Sequence, residues 1–351
     1  MRQDCRQLAF ALVLTALVPL TALAWDRGEV ERFATLPVGN HNPEGITADR
    51  HGNIYVTTFD TGRPTGIGRL FVFDRHGELR RAVDIQDSSA FLLDLAFHPQ
   101  TGELLVIDFG KGRVVKVNPR TGESEVLTTI PDLTPADPNA GPGANVLTFD
   151  KHGNVYISDS FQGIVWRTGP NGGVPIQWAA SPLLSPNGVP PFGANGLAFN
   201  KAGDALFVAN TANDQIIRIP VMPGGVAGTP AVFVNSVNGA DGLIIDKHDN
   251  LWICANQADE IVVLEPKEGR VIAKLGDFDG LTRGGAPRGL LFPASLVRVG
   301  DWLYVTNLSL DLRAAVGPAF AAVDSPWAAD VKRHTIARLK AKIPPVRGLG
   351  D

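Results

Sequence analysis

Three stretches of the chain carry an oxygen-bearing side chain in one slot, between small residues and ahead of an apolar run. They are Asn145 in GPGANVLTFDKHGNVYISDS, Asn195 in PFGANGLAFNKAGDALFVAN and Asp241 in NGADGLIIDKHDNLWICAN. Aligning the rest of the chain on them adds Glu44 in NPEGITADRHGNIYVTTF, Asp94 in LLDLAFHPQTGELLVIDF and Ser295 in FPASLVRVGDWLYVTN. A lone Asp or Asn at the start of a strand commonly does no more than bond turn amides. Six copies, in which the residue type varies while the neighbours stay fixed, read instead as a site. Glu44, Asn145, Asn195 and Asp241 together offer two carboxylates and two amide oxygens. Hard oxygen donors with about two negative charges suit Ca²⁺ or another divalent cation, whereas zinc and copper want imidazole or thiolate. Asp94 and Ser295 are assigned to contact with a substrate beside that cation.

Such residues meet only if the fold brings them together. The six key positions are 46 to 54 residues apart, a period that signals a propeller, solenoid or array. The third unit reads as strand VLTFD, turn KHG, strand NVYISDS, strand IVWRTG, turn PNGG and strand VPIQWAA. Four short antiparallel strands are the content of one propeller blade, and the rungs of a β-helix are much shorter. The expected fold is all-β, a six-bladed β-propeller of four-stranded antiparallel blades spanning residues 25–351. VERFATLP near the start is expected to complete the last blade beside HTIARLKA near the end. In a propeller the innermost strands line a central channel, so the six key residues should ring one mouth. Loop lengths point the same way. Short turns such as DRHGN and DKHGN fall on the opposite face, and long dissimilar segments such as SPLLSPNGVPPFG and DFDGLTRGGAPRGLL fall on the ring side, as binding faces do. His51, His76, His98, His152 and His248 lie in the short turns and read as solvated turn residues; His41 is the one histidine expected near the mouth. Asp108, Asp159, Asn210 and Asn307 end the second strands as an expected outer polar shell. Residues 311–330 interrupt the last blade and are expected to lie across the mouth.

Residues 1–24 have the form of a cleavable signal peptide: MRQDCRQ, an apolar run, then Ala22-Leu23-Ala24 before Trp25. Cleavage after Ala24 makes the protein secreted or periplasmic. No other apolar run is long enough to span a bilayer, so no membrane contact is expected once the signal is removed. The balance of 32 basic against 36 acidic residues, with no basic run, argues against nucleic acid. Cys254 is then the only cysteine, which excludes an internal disulfide and a structural zinc cluster. There is no G-x-S-x-G, no dinucleotide or P-loop motif and no CxxCH. The oligomeric state is left open.

NPEGI, GANGLAF and GADGLIID resemble motifs of the SMP-30/gluconolactonase family of six-bladed calcium propellers, over essentially the whole chain after residue 24. The resemblance implies that Glu44, Asn195 and Asp241 hold the metal and that Asn145 faces substrate. It implies a metal-assisted lactone or ester hydrolase, in which Asp241 is also the general base. One departure bears on the substrate. Sugar-lactone members carry an Arg two residues before the substrate-facing Asn, and here that position is Gly143. The apolar ring-side loops suggest a less polar lactone or ester. Two other readings share the fold: a non-enzymatic NHL-like binding propeller and a strictosidine synthase-like enzyme, the latter without this set of donors.

Overall fold

The computed structural model describes residues 26–136 and 141–344. The signal-peptide reading therefore falls outside the described residues. Among the described residues no helix is long and apolar enough to cross a membrane.

Six antiparallel units follow one another around a ring, five of four strands and the fourth with an added two-residue strand, Val226–Ala227. The innermost strands are Pro43–Ala48, Leu92–Phe97, Ala144–Phe149, Ala194–Phe199, Ala240–Ile245 and Pro293–Val299. Each packs on the next, and the sixth returns to the first. Strand Val30–Thr35 pairs antiparallel with Thr335–Lys340, which pairs with Trp302–Asn307. The start of the chain thus supplies the outer strand of the last blade, as expected from VERFATLP. This pairing links the first and last described strands through backbone hydrogen bonds.

The second strands are apolar on both faces because every blade is sandwiched between two others. Ile54–Thr58, Leu104–Asp108, Val155–Asp159 and Leu251–Ala255 are buried throughout. There is one apolar cluster for each blade-to-blade contact; Trp166 fills the one between the second and third blades and Trp252 the one between the fifth and sixth. The short turns brace themselves. Asp49 accepts from the His51 and Asn53 amides at 2.8 and 2.9 Å, and Asp150 and Asp246 repeat the pattern. These turn carboxylates are scaffold. His51, His76, His152 and His248 are exposed there. His98 is a correction: it is 2% exposed. Its Nδ1 accepts from the Gln100 and Thr101 amides, and its Nε2 lies 2.9 Å from the Gly153 carbonyl. The turn HPQTG is closed by that ring where the first, third and fifth blades use Asp49, Asp150 and Asp246.

Candidate metal centre at the channel mouth

Every innermost strand opens with a β-bulge. The pairing skips two residues after Pro43, Leu92, Ala144, Ala194, Ala240 and Pro293, and resumes at Ile46, Leu95, Leu147, Leu197, Leu243 and Leu296. A bulge bends the strand and re-aims a side chain. The first skipped residue is Glu44, Leu93, Asn145, Asn195, Asp241 or Ala294, and the first five of these line one cleft of about 450 Å³. The sequence alignment therefore needs a correction of one residue in two blades. Leu93 and Ala294 occupy the ring slot, and Asp94 and Ser295 are the second skipped residues. Side chains alternate along a strand, so one step turns them away. Asp94 and Ser295 face the narrow channel beyond the ring. There Asp94 accepts from the Leu147 amide at 3.0 Å, and burial lifts its carboxyl to about 7.

The second skipped residue is glycine at 45, 196 and 242, and the reason is close approach. A Cβ on Gly196 would collide with the Asp241 carbonyl oxygen, and one on Gly242 with the Ala294 carbonyl oxygen. Gly196→Ala is therefore expected to displace the backbone carrying Asp241. A cost of about 1–3 kcal/mol is typical of an added methyl with no room. Thermal unfolding with and without Ca²⁺ checks it: a variant with wild-type Tm and a wild-type calcium shift would contradict so close an approach.

The four oxygen donors come from four blades and are buried, Glu44 at 4%, Asn145 at 3%, Asn195 at 4% and Asp241 at 5% exposure. Their neighbours fix which atoms face the cleft. The Ser160 hydroxyl donates to the Ala194 carbonyl at 2.7 Å, so toward Asn145 Nδ2, at 3.0 Å, it accepts. The Thr211 hydroxyl donates to the Ala240 carbonyl at 2.7 Å and accepts from Asn195 Nδ2 at 3.0 Å. With Nδ2 committed in both amides, Oδ1 is the free end. Asn256 Nδ2 donates to Asp241 Oδ2 at 3.0 Å. What remains is five buried oxygens without a hydrogen-bond partner: Glu44 Oε2, Asn145 Oδ1, Asn195 Oδ1, Asp241 Oδ1 and Asn256 Oδ1.

Among the described residues no Lys, Arg or His lines this cleft. Burial, with Asp241 and Asp94 nearby, pushes the Glu44 carboxyl well up, and burial pushes Asp241 to about 7. Buried polar groups need partners, and buried charges need compensation. A hard divalent cation meets both needs at once, so the donor set fits one. Among the described residues no three His, Cys, Asp or Glu side chains assemble as a metal cluster; the group here is two carboxylates with amides.

Asn256 is the site residue missed from sequence. It follows the end of the second strand of its blade, where Ser160 and Thr211 stand in theirs, and that shared offset was the available signal. Asp108, Asp159, Asn210 and Asn307, one residue earlier, serve the loops instead of the cleft. Asp159 accepts from the Gly143 amide at 2.9 Å and Trp166 Nε1 at 3.0 Å. Asn210 donates to the Leu183 carbonyl at 2.9 Å, and Asn307 to the Gly289 carbonyl at 3.1 Å. His41 stacks toward His334 at 5.3 Å and does not line the cleft. From the segment 311–330, Leu312 does line it, at the first turn of the short helix Leu312–Ala315.

A ring of six blades with oxygen donors from four of them at one mouth defines a propeller with a candidate cation site. Residues 95–276 match the family model of the SMP-30/gluconolactonase/LRE-like region. The chain belongs to that family. Comparison with curated protein sequences finds no match. Among solved structures the fold is similar to a luciferin-regenerating enzyme (TM-score 0.63, 14% identity, covering 89% of this chain and 95% of that one). It is also similar to a gluconolactonase from Xanthomonas campestris (TM-score 0.58, 14% identity, 89% of each chain). A third is the calcium-binding protein regucalcin from Agrobacterium tumefaciens (TM-score 0.57, 14% identity, 90% of this chain and 98% of that one).

Proposed function

We propose that the protein is a divalent-cation-dependent hydrolase, with Ca²⁺ the favoured cation, acting on a small-molecule lactone or ester. One observation carries this reading: unpartnered buried oxygens of Glu44, Asn145, Asn195 and Asp241 converge from four blades on a cleft that, among the described residues, has no basic side chain. Those four residues would hold the cation. When bound, it would polarise the substrate carbonyl and stabilise the charge that develops on its oxygen. Asp241 accepts the proton of the attacking water at Oδ1, the oxygen open to the cleft. Asn256 keeps Oδ2 occupied and so fixes the plane of the carboxylate. Asn145, anchored through Ser160, is placed to orient the substrate. Asp94 and Ser295, lying beyond the ring, are released from the substrate role. The family and the named neighbours support hydrolysis, and the donor set argues against a purely binding propeller. The sequence of residues 1–24 supports export to the periplasm or medium.

The direct test is hydrolysis of a panel of lactones and aryl esters by the protein beginning at Trp25, with and without chelator. Expected is turnover that chelation abolishes and Ca²⁺ restores. Chelator-insensitive turnover, or none across the panel with the cation bound, would overturn the reading.

A further inference from the structure

The mouth of the channel is unevenly lined. At the position just after each second strand the blades carry Phe59, Phe109, Ser160, Thr211, Asn256 and Leu308 in turn. The third to fifth blades use that position to orient Asn145, Asn195 and Asp241. The other three leave it apolar. Phe59 and Leu308 form wall of the cleft, and Phe192, Phe292, Leu310 and Leu312 extend it. The aromatic side is braced in depth. Phe59 meets Phe109 edge-on at 5.8 Å, Phe109 meets Phe161 at 5.6 Å, and Phe161 meets Phe192 at 5.5 Å. Phe292 is held with φ of +48°, a conformation a bulky residue keeps only under constraint. Its amide is bonded by Asp259 Oδ1 at 2.7 Å.

Two further features exclude a polar substrate ring. Among the described residues no basic side chain lines the cleft, so none of them offers a substrate carboxylate a counter-charge. A Cβ on Gly143 would sit 2.8 Å from the Phe161 ring, so the ring packs where a longer side chain at 143 would begin. Hydroxyl groups of a sugar lactone turned toward this wall would lose water and gain no partner.

Resting on the hydrolase reading, we infer that the substrate is an aryl lactone or aryl ester, its carbonyl directed at the oxygen donors and its aromatic ring against Phe59, Phe192 and Phe292. The wall selects by apolar contact and edge-to-face packing. A polyhydroxy lactone of the same ring size is disfavoured by on the order of a hundredfold.

The test separates recognition from chemistry. Calorimetric titration of the calcium-loaded protein uses two lactams that resist hydrolysis, one benzo-fused and one polyhydroxylated, both six-membered. Binding of the benzo-fused ring at least about a hundredfold tighter is expected. Phe192→Ala is expected to weaken that binding by tenfold or more while leaving the calcium-induced rise in Tm unchanged; Phe192 is only half-buried, so the variant should fold. Kinetic preference for a benzo-fused δ-lactone over glucono-δ-lactone completes it. Equal or tighter binding of the polyhydroxy ring, or binding of neither, would overturn the inference. Tight binding of the benzo-fused lactam with no lactone or ester hydrolysed would overturn the hydrolase reading and leave the recognition standing.

Discussion

Stripped of divalent cations, the protein is expected to unfold at a lower temperature at pH 7 than at pH 5, and Ca²⁺ is expected to reduce the difference. The effect originates in Asp241, lifted by burial from 3.8 to about 7, and in Glu44, raised by burial and by Asp241 and Asp94. In the unfolded chain both titrate near 4. Between about pH 4 and 7 the folded chelated protein therefore binds more protons than the unfolded one, and stability falls as pH rises through that window. A shift of about three units is worth on the order of 4 kcal/mol at full ionisation. Asp94 and Asp259, at about 7, and Asp324, at about 6, add in the same direction. The turn carboxylates Asp49, Asp74 and Asp246 are lowered instead. They contribute stability above the unfolded value that is lost only at lower pH, outside the range compared. Calcium reverses the effect at the mouth because the cation binds the ionised forms, so its affinity should rise with pH toward and beyond 7. At a hundredfold excess over Kd, ligand binding alone adds about 2.7 kcal/mol. Thermal melts at pH 5, 6 and 7, in chelator and in Ca²⁺, are the measurement. A chelated protein whose Tm is flat or climbs from pH 5 to 7, with no calcium shift, would remove the cation from the mouth.

Asp241→Asn and Glu44→Gln should separate structural from functional roles because their effects on stability and on function have opposite signs. Each substitution replaces a buried carboxyl by an amide of nearly the same shape, so no cavity opens. In chelator at pH 7 both variants are expected to be more stable than wild type, by about 1–3 kcal/mol. An uncompensated buried charge is destabilising, and a neutral group of the same shape is not. In Ca²⁺ both should lose most of the calcium shift. Activity should fall with them. Asp241→Asn also removes the proton acceptor, and turnover should drop roughly a hundredfold to ten-thousandfold, the usual scale for a general base. Glu44→Gln touches the cation alone, so raising the Ca²⁺ concentration should rescue part of its activity, and no amount should rescue Asp241→Asn. Calorimetric calcium affinities and turnover rates at saturating Ca²⁺ decide it. If both variants destabilise the chelated protein and keep calcium affinity, the two carboxylates are scaffold.

Much of this protein is legible from its sequence because a propeller is built from one unit repeated. Four strands per unit, short turns on one face, long loops on the other and the pairing of VERFATLP with HTIARLKA follow from local pattern. So does the assembly of Glu44, Asn145, Asn195 and Asp241 at one mouth, since identical slots in a closed ring must meet. Three things required the tertiary structure. The ring slot in the second and sixth blades is Leu93 and Ala294, not Asp94 and Ser295. A bulge leaves two residues unpaired, and only the register Leu92↔Asp108 and Pro293↔Asn307 tells which one looks into the cleft. His98 carries the same local signature as its exposed counterparts, yet the Gly153 carbonyl of the next blade covers it. The wall of Phe59, Phe192, Phe292 and Leu312 comes from separate loops, and nothing local marks these residues as neighbours; Asn256 had only its offset, shared with Ser160 and Thr211, to mark it. Sequence determined the ring side chains of the first, third, fourth and fifth blades, through strand period and repeat. Those of the second and sixth were decided by pairing register, where a one-residue shift exchanges channel for cleft.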